Sequence, residues 1–192
     1  MGAAKKNARR LRAHLVFLDE SGFLLVPSVR LTWAPRCQTP RLVHRYQRDK
    51  ISAISAVTVS PTHRRLGFYC HLHLENITQV EVAVFLRLLL RHLRGPIILL
   101  WDGGSIHGGA DVRKVLARHP RLQVERFPAY APELNPDELA WEFLKDELAN
   151  GCPLNVEALL DDLTHLTRRL RRSQRRLRGF VLGSDLPPLF SS

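Results

Sequence analysis

The chain has 192 residues, enough for one domain or one domain with a helical extension, and its 45% hydrophobic content supports an ordinary core and excludes a wholly disordered chain. A net charge of +11 and a pI of about 10.6 point to a polyanionic partner, nucleic acid before an anionic membrane. Cys37, Cys70 and Cys152, odd in number and not closely paired, exclude a zinc knuckle and a disulfide framework and imply a reducing, cytoplasmic setting.

Residues 1–13 are basic and small and read as a loose arm, with no signal-peptide apolar stretch behind them. His14 to Phe23 reads as a strand, with Leu15, Phe17 and Asp19 on one face and Val16, Leu18 and Glu20 on the other. Arg30 to Lys50 is Arg-rich and broken by Pro35 and Pro40, an irregular or hairpin stretch. Ile51–Ser60 and Leu66–Leu74 are two strands joined by a turn over 61–65. Thr78, with Glu81 three residues on, is a capping box that opens a helix, and Gly95-Pro96 ends it. Ile97–Trp101 (IILLW) is a continuous apolar run, the pattern of a parallel strand buried on both faces and far too short to span a bilayer. A short helix over Asp111–His119, a strand over Leu122–Phe127, a helix over Asn135–Asn150 and one long helix over Asn155–Arg178 follow. Three successive strands suit an antiparallel meander, and the later alternation suits right-handed parallel crossovers. This is the element order of a ribonuclease-H-like α/β fold, with a basic helical extension over 151–192 after a core of 14–150.

Three carboxylates fall where such a fold can gather them. Asp19 stands near the end of the first strand, and Asp102 ends the IILLW strand before Gly103-Gly104. Sites in open α/β sheets collect outside such strand ends. Glu138 stands in the first turn of the next-to-last helix; Glu138, Trp141, Lys145 and Leu148 follow helical spacing, so Glu138 flanks the face that packs on the sheet. Each has a plain structural role as well: Asp19 and Asp102 as turn residues, Glu138 as the partner of Asn135 in a capping box. Together the three acids repel, and divalent cations with hard oxygen ligands relieve that repulsion. Two such ions can clamp the attacking and leaving oxygens of an in-line phosphoryl displacement. His107 stands near Asp102, to touch phosphate, to orient a ligand, or simply as a polar surface residue. Tyr130 and Trp33 read as packing aromatics rather than base-stacking ones. Arg168, Arg169, Arg171, Arg172, Arg175, Arg176 and Arg178 crowd the end of the last helix, more cations than a helix dipole needs, and read as contacts to a nucleic-acid backbone. Arg30, Arg36, Arg41, Arg45, Arg48 and Lys50 form a second phosphate-facing region.

Leu18-Asp19-Glu20-Ser21-Gly22-Phe23, Leu99-Leu100-Trp101-Asp102 and the run Pro128 to Glu138 are three acid-bearing motifs, and together they resemble those of the IS630 and Tc1/mariner transposases. Leu18-Asp19-Glu20-Ser21-Gly22-Phe23 is similar to their first-aspartate motif, and Thr32-Trp33-Ala34-Pro35 with Gln38-Thr39-Pro40 to the segment that follows it. Leu99-Leu100-Trp101-Asp102 with Ser105-Ile106-His107 is similar to the second, and the long run Pro128 to Glu138, then Trp141 and Leu144-Lys145, to the third. The resemblance covers roughly residues 14–150. It implies an integrase-type fold and a Mg²⁺- or Mn²⁺-dependent DNA transposase using two ions, with Asp19, Asp102 and Glu138 as catalytic and metal-binding acids. Water would cut the element's ends, and the freed 3′-hydroxyl would join target DNA without a covalent protein intermediate. It also implies a homodimer and a separate helix-turn-helix segment for end recognition. Gly103 departs from the family's usual Asn after the second acid. Two further readings stand beside this one: a non-catalytic DNA-binding remnant of a decayed transposase, and a nuclease of the same fold acting on RNA, against which the third-acid motif argues.

Overall fold

A computed structural model describes residues 2–25, 35–37, 49–62, 65–128, 131–149, 151 and 153–186. Trp33, Tyr130, Cys152, Arg30, Arg41, Arg45, Arg48 and most of the segment after the first-acid motif lie outside them.

The sheet has five strands in the order β3-β2-β1-β4-β5: β1 His14–Leu24, β2 Lys50–Val59, β3 Leu66–His73, β4 Ile97–Trp101 and β5 Leu122–Arg126. β1, β2 and β3 form the expected antiparallel meander, and β4 and β5 run parallel to β1. β1 runs on to Leu24, so Asp19 is internal to the strand; what ends near it is the pairing with β4, whose last partners are Phe17 and Leu100.

Alternation along the strands feeds two cores. Val16, Leu18, Ile54, Ile97 and Leu99 meet α2 (Gln79–His92) and α3 (Ala110–Arg118) on one face. Leu15, Phe17, Ile51, Val57 and Leu100 meet α4 (Pro136–Leu148), α5 (Val156–Arg172) and α6 (Gln174–Gly183) on the other. Thr78 caps α2 through the capping box that its spacing predicts. At the other end of α2, the Arg121 guanidinium donates to the carbonyls of Leu90, Leu93 and Gly95, binding the free end of the helix to the turn before β5.

Two expectations fail. Residues 1–13 are not a loose arm: Gly2–Leu11 is a helix, α1, whose Ala8 is buried in the α4–α6 core. Its Ala, Lys and Arg residues are strong helix formers, which the reading from charge alone overlooks. It ends in a Schellman turn, with Ala13 N–H donating to Ala8 O at 2.9 Å and Arg12 in the left-handed region at φ 49°. The last helix is also not continuous. Ser173 breaks it, its hydroxyl accepting the Arg176 N–H at 3.3 Å as the N-cap of α6. Both pieces bury their leucines (Leu159, Leu163, Leu166, Leu170, Leu177) in the core that α4 forms with the sheet, so α5 and α6 are part of that core rather than an extension hanging from it.

The elbow between α5 and α6 also covers the outer edge of β3. Gln174 Oε1 accepts from Leu66 N–H at 3.0 Å, Gln174 Nε2 donates to Leu66 O at 2.7 Å, and Arg171 Nε donates to Phe68 O at 3.1 Å. The Gln174 amide thus takes the place of a neighbouring strand's peptide group.

Candidate active site

Three elements bring the predicted acids to one end of the sheet. Two residues beyond the last β1–β4 partners come Asp19 and Asp102. Asp19 remains in the β1–β2 ladder opposite Ser55, and Asp102 leaves the sheet where β4 ends. Glu138 is the third residue of α4, which packs across β1 and β2. Asn135 caps α4 by accepting the Asp137 N–H at 3.1 Å, and Pro136 takes N1. A capping box would need the Asn135 N–H, which instead donates to the Pro132 carbonyl at 2.8 Å, so Glu138 is not a cap partner.

The electrostatics record the convergence. The Asp19 carboxyl is pushed up to about 7, first by burial, then by the charges of Glu138, Glu20 and Asp102; a hydrogen bond from the backbone of Glu20 acts against them. Asp19 and Glu138 are partly buried, and the Asp102 side chain is 63% exposed. Among the described residues no group of three His, Cys, Asp or Glu side chains closes into a ready metal cage. The donor set nonetheless fits a hard divalent cation: all three are carboxylates, Asp102 faces solvent, and a cation would offset the burial and the neighbouring charges that lift Asp19.

Sequence reasoning missed Asp137. It is fully buried, accepts the Ser55 hydroxyl at 2.8 Å and leaves its Oδ2 without a partner among the described residues. Burial, then the charge of Asp19, pushes its carboxyl well above the usual range, and the Ser55 hydroxyl acts against them. The buried stripe of α4 is Asp137, Ala140, Trp141 and Leu144, with Glu138 beside it as its spacing predicts. The i, i+3, i+4, i+7 spacing of the observed stripe carried the signal. With Asp137 turned inward, Glu138 is left on the flank of the helix, beside the acids of the sheet.

His107 is not a surface residue. It sits in a 3-10 turn, Ser105–Gly108, 4% exposed, its ring stacked on Trp101 at 4.3 Å and 3°. Its Nε2 lies 3.0 Å from Glu20 Oε1, and its Nδ1 3.0 Å from Asp102 Oδ1 and 3.3 Å from the Asp102 carbonyl. Burial opposes charge on this ring, but the Glu20 carboxylate and then Asp102 outweigh it and raise the pKa. Both ring nitrogens thus face oxygens of the acids, and the ring is buried. Gly104 N–H also donates to Asp102 Oδ1, at 2.8 Å.

The basic residues divide between α5 and α6. Arg169 pairs with Glu147, Arg171 holds the β3 edge, and the Arg176 guanidinium lies 4.4 Å over the Phe143 ring. Arg168, Arg172 and Arg175 are exposed, with no hydrogen bond or ion pair among the described residues. Arg36 and Lys50 of the second basic region are exposed as well.

Comparison with known proteins agrees with this geometry. No curated protein matches the chain. Among solved structures it is similar to the Mos1 mariner paired-end complex with Mn, with TM-score 0.66 and 18% identity over 94% of this chain and 56% of that one. A Mos1 transposase paired-end complex with the left transposon end gives TM-score 0.59 and 19% identity over 95% and 59%. A simian T-cell lymphotropic virus intasome in complex with a PP2A regulatory subunit gives TM-score 0.52 and 13% identity over 93% and 58%. The chain thus spans under two thirds of the length of these proteins, whose likeness shows the ribonuclease-H-like integrase fold. The family model of the DDE superfamily endonucleases matches residues 14–159, three quarters of the chain and all three acids, and the chain belongs to that family.

Proposed function

We propose that this chain is the catalytic domain of a DNA transposase of the Tc1/mariner–IS630 group, cutting the ends of an insertion sequence and joining them to target DNA. The observation that supports the reading is the placement of Asp19 in β1, Asp102 just beyond β4 and Glu138 in the first turn of α4 at one end of the sheet, close enough that Glu138 and Asp102 are among the charges that, after burial, raise the Asp19 carboxyl. Asp19 and Asp102 would hold one ion between them and Glu138 would complete the site for a second, with Mg²⁺ or Mn²⁺ as the cations. Bound there, they supply charge neutralisation at the phosphate and activation of the attacking oxygen. The chain's own part is positional. The sheet fixes Asp19, α4 presents Glu138 from the flank, and the buried Asp137, held by the Ser55 hydroxyl, closes the floor behind them. No nucleophilic side chain is required, because water and then a DNA 3′-hydroxyl attack phosphorus directly.

The DNA partner is supported by the +11 charge and by the exposed Arg168, Arg172 and Arg175, and by the transposon-end DNA named in the Mos1 complexes. A homodimer and a separate helix-turn-helix segment complete the proposal, since two ends must be recognised and brought together. One observation favours the second reading, a catalytically silent DNA-binding remnant: Gly103 stands where the family carries Asn. Nicking of supercoiled plasmid by the purified chain with Mg²⁺ or Mn²⁺, with EDTA, and by Glu138→Gln decides between them. Metal-dependent nicking lost in Glu138→Gln supports the transposase reading. DNA binding without nicking, even with a helix-turn-helix region fused on, supports the remnant.

A further inference from the structure

Asp102 is poorly placed to be a precise ligand on its own. It stands beyond the last hydrogen-bonded residue of β4, 63% exposed, before two glycines. A carboxylate there has several rotamers open to it, and freezing one of them would weaken any ion it held. The space around Gly103 holds nothing within 4 Å of a side chain's first carbon, so no neighbour restrains the loop from that side.

The restraint comes from behind. His107 is fixed by the Trp101 ring it stacks on and by its burial. One ring nitrogen reaches Glu20 Oε1 and the other reaches Asp102 Oδ1, each at 3.0 Å. Alternation along β1 puts Glu20 on the sheet face opposite Asp19, so Glu20 faces His107 while Asp19 faces α4. Asp102 Oδ1 therefore has two partners, His107 and the Gly104 N–H at 2.8 Å, and Oδ2 is the oxygen left for a cation. Gly104 is part of the same device: a Cβ there would stand 2.9 Å from Asp102 Oδ1 and 3.4 Å from His107 Nδ1.

We infer that Glu20 and His107 are positioning residues that hold the Asp102 carboxylate in a single orientation, with Oδ2 presented to the metal, in place of support from the residue after Asp102. The inference rests on the metal-site reading above. It gives Glu20 and His107 a role without making either a ligand, and it accounts for a buried histidine between two acids.

The test is Mn²⁺ affinity of the whole chain, measured by isothermal titration at a temperature where thermal melts show each variant folded. Asp102→Asn should abolish binding at the site. His107→Ala and Glu20→Ala should each weaken it roughly 10- to 100-fold, the usual cost of losing an outer-shell partner. His107→Asn, whose amide can stand in for Nδ1, should recover part of that loss, and Glu20→Gln, which still accepts from Nε2, should stay within about threefold of the wild type. Glu20→Ala carries the test alone if His107→Ala does not fold. Unchanged Mn²⁺ affinity in folded Glu20→Ala or His107→Ala, with Asp102→Asn inactive in binding, overturns the positioning role while leaving the metal site intact. Absence of Mn²⁺ binding in the wild type, or wild-type binding in Asp102→Asn, overturns the metal site and this inference with it.

Discussion

Asp19 is the residue on which stability and chemistry pull in opposite directions. Its folded pKa of about 7 lies above its ordinary value of 3.8, so the stability it contributes is full below about pH 4 and is lost as pH rises through 7. Asp137, with its carboxyl also raised, acts in the same direction. His14 and His71, held below their ordinary range by burial, act in the other, and both are unchanged in Asp19→Asn. In EDTA the wild type should therefore lose on the order of 5 °C in Tm relative to Asp19→Asn between pH 5 and pH 8. Mg²⁺ at pH 8 should restore the wild type and not the variant, because binding to the folded state alone stabilises it. Parallel Tm curves for the two proteins would remove Asp19 from the cluster. The two glycines after Asp102 should also behave differently. Gly103→Asn has open space and should fold with Tm within about 2 °C of the wild type, whereas Gly104→Ala meets Asp102 and His107 and should lose metal-dependent nicking at least tenfold. Equal nicking by Gly104→Ala and the wild type would contradict the close approach.

At the scale of elements, the strands were the most legible part, because β-alternation and the IILLW run are direct consequences of which faces are buried. The acids at Asp19 and Asp102 came with them. Glu138 was found by its motif and expected on the flank of the packed face, where it lies; Asp137 was missed because an acidic residue in a buried stripe conceals its burial in a sequence. His107 was legible only as a neighbour of Asp102: its depth depends on Trp101 and on Glu20, 87 residues away. The α5–α6 break was hidden because Ser173 continues the polar pattern of a helix, and only its backbone shows it acting as a cap. α1 was hidden by its charge. Its end carries a testable cost: Arg12 holds a left-handed conformation that glycine adopts freely. Arg12→Gly should raise the unfolding free energy by about 1 kcal/mol in urea titrations. A decrease of similar size would mean that the Arg12 side chain does more than its backbone costs.

The whole molecule carries its charge unevenly in use. Of the arginines at the end of the chain, Arg169, Arg171 and Arg176 are engaged with Glu147, the β3 edge and Phe143. Arg168, Arg172 and Arg175 are the ones turned to solvent without such partners among the described residues. DNA affinity should fall steeply with salt, and alanine at those three positions should lower the slope of log K against log salt by about 0.9 for each phosphate no longer neutralised. A slope unchanged in the triple variant would move the DNA-binding face elsewhere, towards Arg36 and Lys50.

The clasp of Gln174 and Arg171 on β3 bears on where this protein can be cut. The family match ends at residue 159, which invites a shortened chain ending there. Such a chain would keep the three acids but bare the Leu66 and Phe68 peptide groups of an edge strand and the leucines beneath α5 and α6. An open edge beside exposed apolar surface recruits the same edge of another copy. The shortened protein should elute from size-exclusion chromatography as large, polydisperse assemblies, and a soluble monomer would show that β3 is protected by some other means. Solubility, on this view, is set by two side chains far from the chemistry.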